Sequence, residues 1–189
     1  MTLRLRDGVP VRVRPVVPDD KALLQDAFHR LSPTSRYRRF MSAVKELSAR
    51  DLERFTEIDY TNHMAWVAID ENAPGHPLLA VARYVRLPHE PETAEVAVAV
   101  VDSHQGRGLG TLLLGVLSRS AAGNGIRRFL AYVLPENAPM TQIFRDLGAT
   151  VEFERDVYRV YVPVPEDPRE LPKTAAGRVF AAVARQYAS

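Results

Sequence analysis

Apolar positions change their spacing several times along this 189-residue chain. Residues 11–17 open with Val11, Arg12, Val13 and Arg14, the alternation of a half-buried strand. Pro18-Asp19-Asp20, ahead of Leu23, Leu24, Ala27, Phe28 and Leu31, predicts an amphipathic helix. Ser32-Pro33 restarts the chain, with Ser as N-cap and Pro at the first helical position. Ser48 and Asp51 stand at capping-box spacing and open a further helix through Leu52, Phe55 and Ile58.

Thereafter the period shortens. Residues 65–69, 78–87 and 94–101 read as three consecutive strands, the last two joined by a turn at 89–92. A glycine-rich turn at 105–110 leads into a helix carrying Leu109, Leu112, Leu113, Val116 and Leu117. A strand at 129–134 follows, then a helix over 138–147 stopped by Gly148, and a hairpin of 151–153 with 157–162. Residues 1–162 thus predict one α/β domain of α+β type, with a mixed, mostly antiparallel sheet flanked by helices. Prolines 163, 165, 168 and 172 make 163–173 a stiff linker. Residues 174–189 predict a C-terminal helix whose face of Val179, Phe180, Val183 and Tyr187 suits docking, or alternatively a partner.

Composition narrows the chemistry. No cysteine is present, which excludes disulfides, Cys-ligated metal and any thiol nucleophile. The five histidines are scattered without ligand spacing, so no metal site is expected. No apolar run spans a bilayer, and the first residues lack the apolar core of a secretory signal, which predicts a soluble cytoplasmic protein with no membrane partner. The net charge is +2, and of the 25 basic residues all but Lys21, Lys45 and Lys173 are arginine. So small an excess argues against nucleic-acid binding and leaves any anion site local.

The local candidate is Gln105-Gly106-Arg107-Gly108-Leu109-Gly110-Thr111. Alternate glycines let the backbone approach a ligand, and a helix N-terminus attracts phosphate. The Walker pattern fails because no Lys-Ser/Thr follows at the required spacing. The dinucleotide fingerprint fails as well, with Thr111 at its third small position and Leu130 and Ala131 where an acid is needed. A pyrophosphate cradle of another kind survives, as does a purely structural turn. Arg107 favours the anion. Glu95 also stands out, a charge inside the strand 94–101 that shares a parity face with Ala97, Ala99 and Val101. It reads either as an ion-paired strand-entry residue or as a general base.

The loop Gln105-Gly106-Arg107-Gly108-Leu109-Gly110, between strand and helix, resembles the Q/R-x-x-G-x-G/A loop of the GNAT superfamily of N-acetyltransferases. The resemblance covers about residues 11–162 and implies the GNAT fold and acetyl-CoA as acyl donor. It implies a pyrophosphate held by backbone N–H groups of Gln105, Gly106, Arg107, Gly108, Leu109, Gly110 and Thr111. The pantetheine arm would pair with the backbone of Ala99, Val100 and Val101 beside a splayed strand. Asn137 matches an Asn that holds the cofactor in many members, although its position suits a helix N-cap equally. Glu95 falls where many GNAT lysine acetyltransferases carry the catalytic base. With no thiol on the chain, the implied route is direct attack in a ternary complex, the oxyanion met by backbone N–H groups near Val100. Phe144 stands where many members place a proton-donating Tyr, so no general acid is assigned.

Residues 31–40, 63–68 and 94–97 are more particularly similar to bacterial Pat-like protein lysine acetyltransferases, which modify acyl-CoA synthetases. That branch often carries a cyclic-nucleotide-binding domain. About ten residues precede the first predicted strand, so none is expected here. The resemblance implies a protein lysine as acceptor, with a small-molecule amine or a silent acetyl-CoA-binding module as alternatives, in a monomer or homodimer. Arg36, Arg38 and Arg39 read as a receptor for an acidic surface or the CoA 3′-phosphate, or else as a solvated helix face.

Overall fold

The computed structural model describes residues 1–187; positions 188 and 189 of the expected C-terminal helix lie outside the described residues. Eight strands form one sheet: β1 (Thr2–Arg4), β2 (Pro10–Pro15), β3 (His63–Ile69), β4 (Leu78–Leu87), β5 (Glu90–Val100), β6 (Arg128–Val133), β7 (Thr150–Glu154) and β8 (Val157–Pro163). Their spatial order is β1-β2-β3-β4-β5-β6-β8-β7. All neighbours run antiparallel except β5 and β6. The six helices are α1 (Lys21–His29), α2 (Pro33–Phe40), α3 (Ala49–Thr56), α4 (Leu109–Gly123), α5 (Ala138–Asp146) and α6 (Ala175–Tyr187). Among the described residues no helix is long and apolar enough to cross a membrane.

The expected α/β architecture is present, and the helix starts form for the anticipated reasons. Ser32 Oγ accepts the Ser35 N–H at 3.1 Å with Pro33 opening α2. Ser48 and Asp51 exchange both capping-box hydrogen bonds at 3.1 Å. Asp20 does more than its residue type announced. It is buried, accepts the Val17 N–H and holds the Arg14 guanidinium in a two-pronged pair at 2.6 and 2.7 Å.

Helix α4 covers one face of the sheet, touching β3, β4 and β5, while α1 and α2 cover the other. This apposition encloses a single core that includes Val13, Trp66, Tyr84, Leu113, Leu117 and Phe129. Its one large phenol is satisfied: Tyr84 donates to the Thr61 carbonyl at 3.0 Å and lies 2.8 Å from the Asn124 amide.

The closing hairpin forms as expected, with β8 lying between β6 and β7. Three readings of the sequence need correction. The stretch before residue 11 is itself structured, because Thr2–Arg4 pairs with Pro10–Arg12. β5 begins at Glu90, which shrinks the expected turn at 89–92, and Val101 falls just past its end. The proline segment is docked rather than free: Val164 is buried and donates to the Arg127 carbonyl, Arg119 donates to the Glu166 carbonyl, and 168–170 form a 3₁₀ turn. It delivers α6 to the outer side of α4, where Phe180 and Val183 pack over Gly115, as expected of a docking helix.

Candidate active site

Strands β5 and β6 meet through only three rungs, Thr93–Arg128, Ala94–Phe129 and Glu95–Leu130, and then part. Val101 donates its N–H to the Leu79 carbonyl on β4 at 2.9 Å. Strand alternation therefore directs the main-chain groups of Val96, Val98 and Val100 into the gap, and those of Ala97, Ala99 and Val101 toward β4. Pantetheine pairing through Ala99 and Val101 is thus corrected by one residue of parity. The open edge belongs to Val96, Val98 and Val100.

The turn beyond β5 is tied down on both sides. Asp102 accepts the Ser32 N–H at 2.9 Å and the Ser35 hydroxyl at 3.0 Å. Burial raises its pKa, but these hydrogen bonds outweigh that effect and hold the carboxyl below its usual range. Gln105 donates to Ser35 Oγ at 3.1 Å and to the Val100 carbonyl at 3.0 Å. Gly106 (φ +74°) and Gly108 (φ +86°) adopt left-handed backbone, and Gly108 is the N-cap of α4. Successive N–H groups of such a turn, completed by a helix N-terminus, form an anion-binding concavity.

From this cradle a cleft of about 520 Å³ runs along the parted strands to α5. Of the residues singled out from sequence, Ala99, Val100, Gln105, Gly106, Gly108, Leu109, Gly110, Thr111 and Asn137 line it. Asn137 does stand at the N-cap of α5 but makes no side-chain capping hydrogen bond. Val101 faces the opposite side, in a cavity beneath α1. Arg107 is likewise absent from the cleft lining. Its guanidinium pairs with Asp7 at 2.6 Å, while its carbonyl accepts the Arg6 N–H. The cation presented to the cradle is Arg6, whose side chain lies against Gly108, 3.1 Å from where a Cβ would stand. That contact depends on the β1–β2 turn, which periodicity did not reveal.

The three arginines of α2 have separate fates. Arg36 is structural, donating to the carbonyls of Leu31, His29 and Lys45 and stacking on Phe28 at 4.5 Å. Arg38 and Arg39 both line the cleft, which corrects the reading of a solvated face for those two. Ionisable groups of the lining are Arg6, Arg38, Arg39, His104, Tyr132 and Asp146, a basic majority suited to phosphates. Burial, reinforced by the Arg107 charge, holds His104 below the ordinary imidazole value.

Glu95 occupies the last rung before the gap and is exposed at its mouth, outside the cleft lining itself. Val85 stands opposite it on β4, and Arg83 stands opposite Ala97. Both lie on the face covered by α1–α3, away from α4. Phe144 is buried in α5 and lines the cleft floor, where a phenyl ring supplies no proton.

Residues 25–149 match the acetyltransferase (GNAT) family. The chain belongs to the GNAT family. It is 40% identical over 164 residues to Acetyltransferase Pat of Mycolicibacterium smegmatis, covering 86% of this chain and 48% of that relative. The chain thus spans about half the length of that relative. The crystal structure of the GNAT domain of S. lividans PAT superposes with a TM-score of 0.79 at 37% identity, covering 86% of this chain and 96% of that domain. A GNAT superfamily phosphinothricin acetyltransferase from Sinorhizobium meliloti, in complex with AcCoA, shares the fold. Its TM-score is 0.68 at 16% identity, over 90% of this chain and 98% of that one.

Proposed function

We propose that this chain is an acetyl-CoA-dependent N-acetyltransferase acting on a lysine amine of a protein, by direct attack within a ternary complex. The observation that carries the reading is the juxtaposition of Glu95, at the last β5–β6 rung, with the open edge of Val96, Val98 and Val100. The fit to acetyl-CoA is chemical: a glycine cradle and Arg6 and Arg38 for phosphates, and the gap-facing main-chain groups of Val96 and Val98 for an amide-bearing arm.

A lysine ammonium, with a pKa of about 10.4, must lose a proton before it attacks. Glu95 accepts that proton, directly or through one water. The amine nitrogen then bonds to the thioester carbon, and main-chain N–H groups of the open edge receive the developing oxyanion. Collapse breaks the C–S bond as the nitrogen sheds its remaining extra proton to solvent, and CoA leaves as a thiolate that takes up a proton from solvent. Without cysteine the chain has no thiol to carry the acetyl group, so transfer is direct.

Similarity to Pat supports a protein lysine, with an acyl-CoA synthetase as the first acceptor to try. Purified synthetase incubated with acetyl-CoA should gain acetyl-lysine and release CoA in equal amounts. Turnover confined to soluble amines would replace the acceptor. Phe144 supports a second reading, a silent acetyl-CoA-binding module, which tight binding without CoA release on any acceptor would establish.

A further inference from the structure

On the face covered by α1–α3 lies a small cavity of about 50 Å³ between those helices and strands β4 and β5. Such a space holds several waters or one carboxylate. All of its lining side chains are apolar except two, Arg39 and Arg83. The cavity adjoins the cleft, since Leu31, Arg39 and Ala99 line both.

Arg83 is 5% exposed, and its Nε is buried without a hydrogen-bond partner. Its other nitrogens reach His63 Nε2 at 3.1 Å and the Phe55 carbonyl at 3.4 Å, and its guanidinium stacks on Phe55 at 4.2 Å. His63 is neutral there, because burial, aided by the Arg83 charge, pushes it down to about 4. No carboxylate pairs with Arg83 or Arg39 among the described residues. Burial weakens the hold of both guanidiniums on their protons; the Arg39 and Arg54 charges add to it at Arg83, while at Arg39 the Glu95 carboxylate opposes it and Arg54 adds to it. A buried guanidinium without an anion is destabilising, and a fold that keeps Arg83 in this state, with the half-buried Arg39 lining the same cavity, has prepared a place for one.

We propose that Arg83 and Arg39 hold a carboxylate of the acceptor. The proposal rests on the acetyl-transfer reading and specifies its acceptor as an amine with a carboxylate close by. The ladder sets the two groups near each other: Arg83 is opposite Ala97, which stands two residues beyond Glu95 on the same face. Two sources offer this chemistry, an acidic side chain beside the target lysine and the α-carboxylate of a lysine-like amino acid.

Matched acceptor pairs separate them in steady-state assays on the full chain. One pair is Nα-acetyl-lysine against its amide, and the other is acetyl-Glu-Lys-amide against acetyl-Gln-Lys-amide. The acidic member of one pair should show kcat/KM about 10- to 100-fold higher, the span of a charge-assisted hydrogen bond, and which pair responds names the source. Arg83→Met and Arg39→Gln should each bring the ratio to near one, and the second variant carries the test if the first does not fold. Calorimetry of N-acetylglutamate with the CoA-loaded chain needs no turnover. Binding that is lost in either variant supports the site even if no acceptor is acetylated, in which case the transferase reading fails alone. Equal kcat/KM within both pairs, a preference retained in both variants, or no binding of N-acetylglutamate would overturn the site and leave the transferase reading standing.

Discussion

Gln105 donates its side-chain amide to the Val100 carbonyl at 3.0 Å, so the cradle loop closes onto the end of the open edge of β5. The same amide reaches Ser35 Oγ, which ties the cradle loop to α2. Gln105→Ala removes both links. Each neutral hydrogen bond is worth about 1 kcal/mol, so KM for acetyl-CoA should rise by up to roughly thirtyfold with little change in kcat. An unchanged KM would show that the loop holds its shape without Gln105.

Gly108 stands at φ +86°, and a Cβ there would meet Arg6 Cγ at 3.1 Å. Gly108→Ala should cost about 1–2 kcal/mol in urea unfolding and weaken CoA binding measured by calorimetry. The neighbouring substitution Arg6→Gln should weaken CoA binding without loss of stability, since the Arg6 side chain forms no ion pair among the described residues.

Gly177 opens α6 in contact with the Pro172 carbonyl. A Cβ at that position would sit 1.8 Å from the carbonyl oxygen, which is backbone and cannot step aside. Gly177→Ala should destabilise the docking of α6 on α4 by about 3 kcal/mol. Faster amide exchange confined to α6 and the 168–170 turn would register the loss. Unaltered exchange there would mean that the helix is held by its apolar face alone.

His63 titrates at about 4 in the folded chain because burial, then the Arg83 charge, disfavour its cationic form. In the unfolded chain it titrates near 6.5. The unfolded state therefore takes up the proton first, so stability is intact above pH 6.5 and falls as pH drops toward 4. Allowing for partial exposure, the loss is about 2 kcal/mol. His63→Gln should flatten the melting temperature across that window. Asp59 works lower: three main-chain N–H groups, that of His63 foremost, hold it at about 2, so its contribution disappears only below pH 4.

Periodicity made most of the fold legible because long elements repeat their signal. The caps at Ser32 and Ser48, the glycine turn and the strands around Trp66 and Val96 all follow from residue type and spacing. Thr2–Arg4 escaped since three residues carry no period, and its consequence, Arg6 at the cradle, escaped with it. The placement of β8 between β6 and β7 is a tertiary choice that local pattern does not encode. Arg83 is different, because its signal was present. A charge inside the apolar run 78–85 is the same anomaly that drew notice to Glu95, one strand away and on the same face. Among arginines so numerous, side-chain type alone did not separate Arg36, bound to carbonyls, from Arg39 at the cavity or Arg107 paired with Asp7.

The pH dependence of kcat/KM for Glu95→Gln, with acetyl-CoA and a lysine acceptor between pH 6.5 and 9.5, tests the central claim most directly. Acetyl-CoA affinity is measured in parallel to confirm an intact cleft. With Glu95 as base, the variant should lose about 10²- to 10⁴-fold at pH 7 and regain part of that as rising pH deprotonates the amine unaided. Activity equal to the unaltered chain at every pH would contradict it.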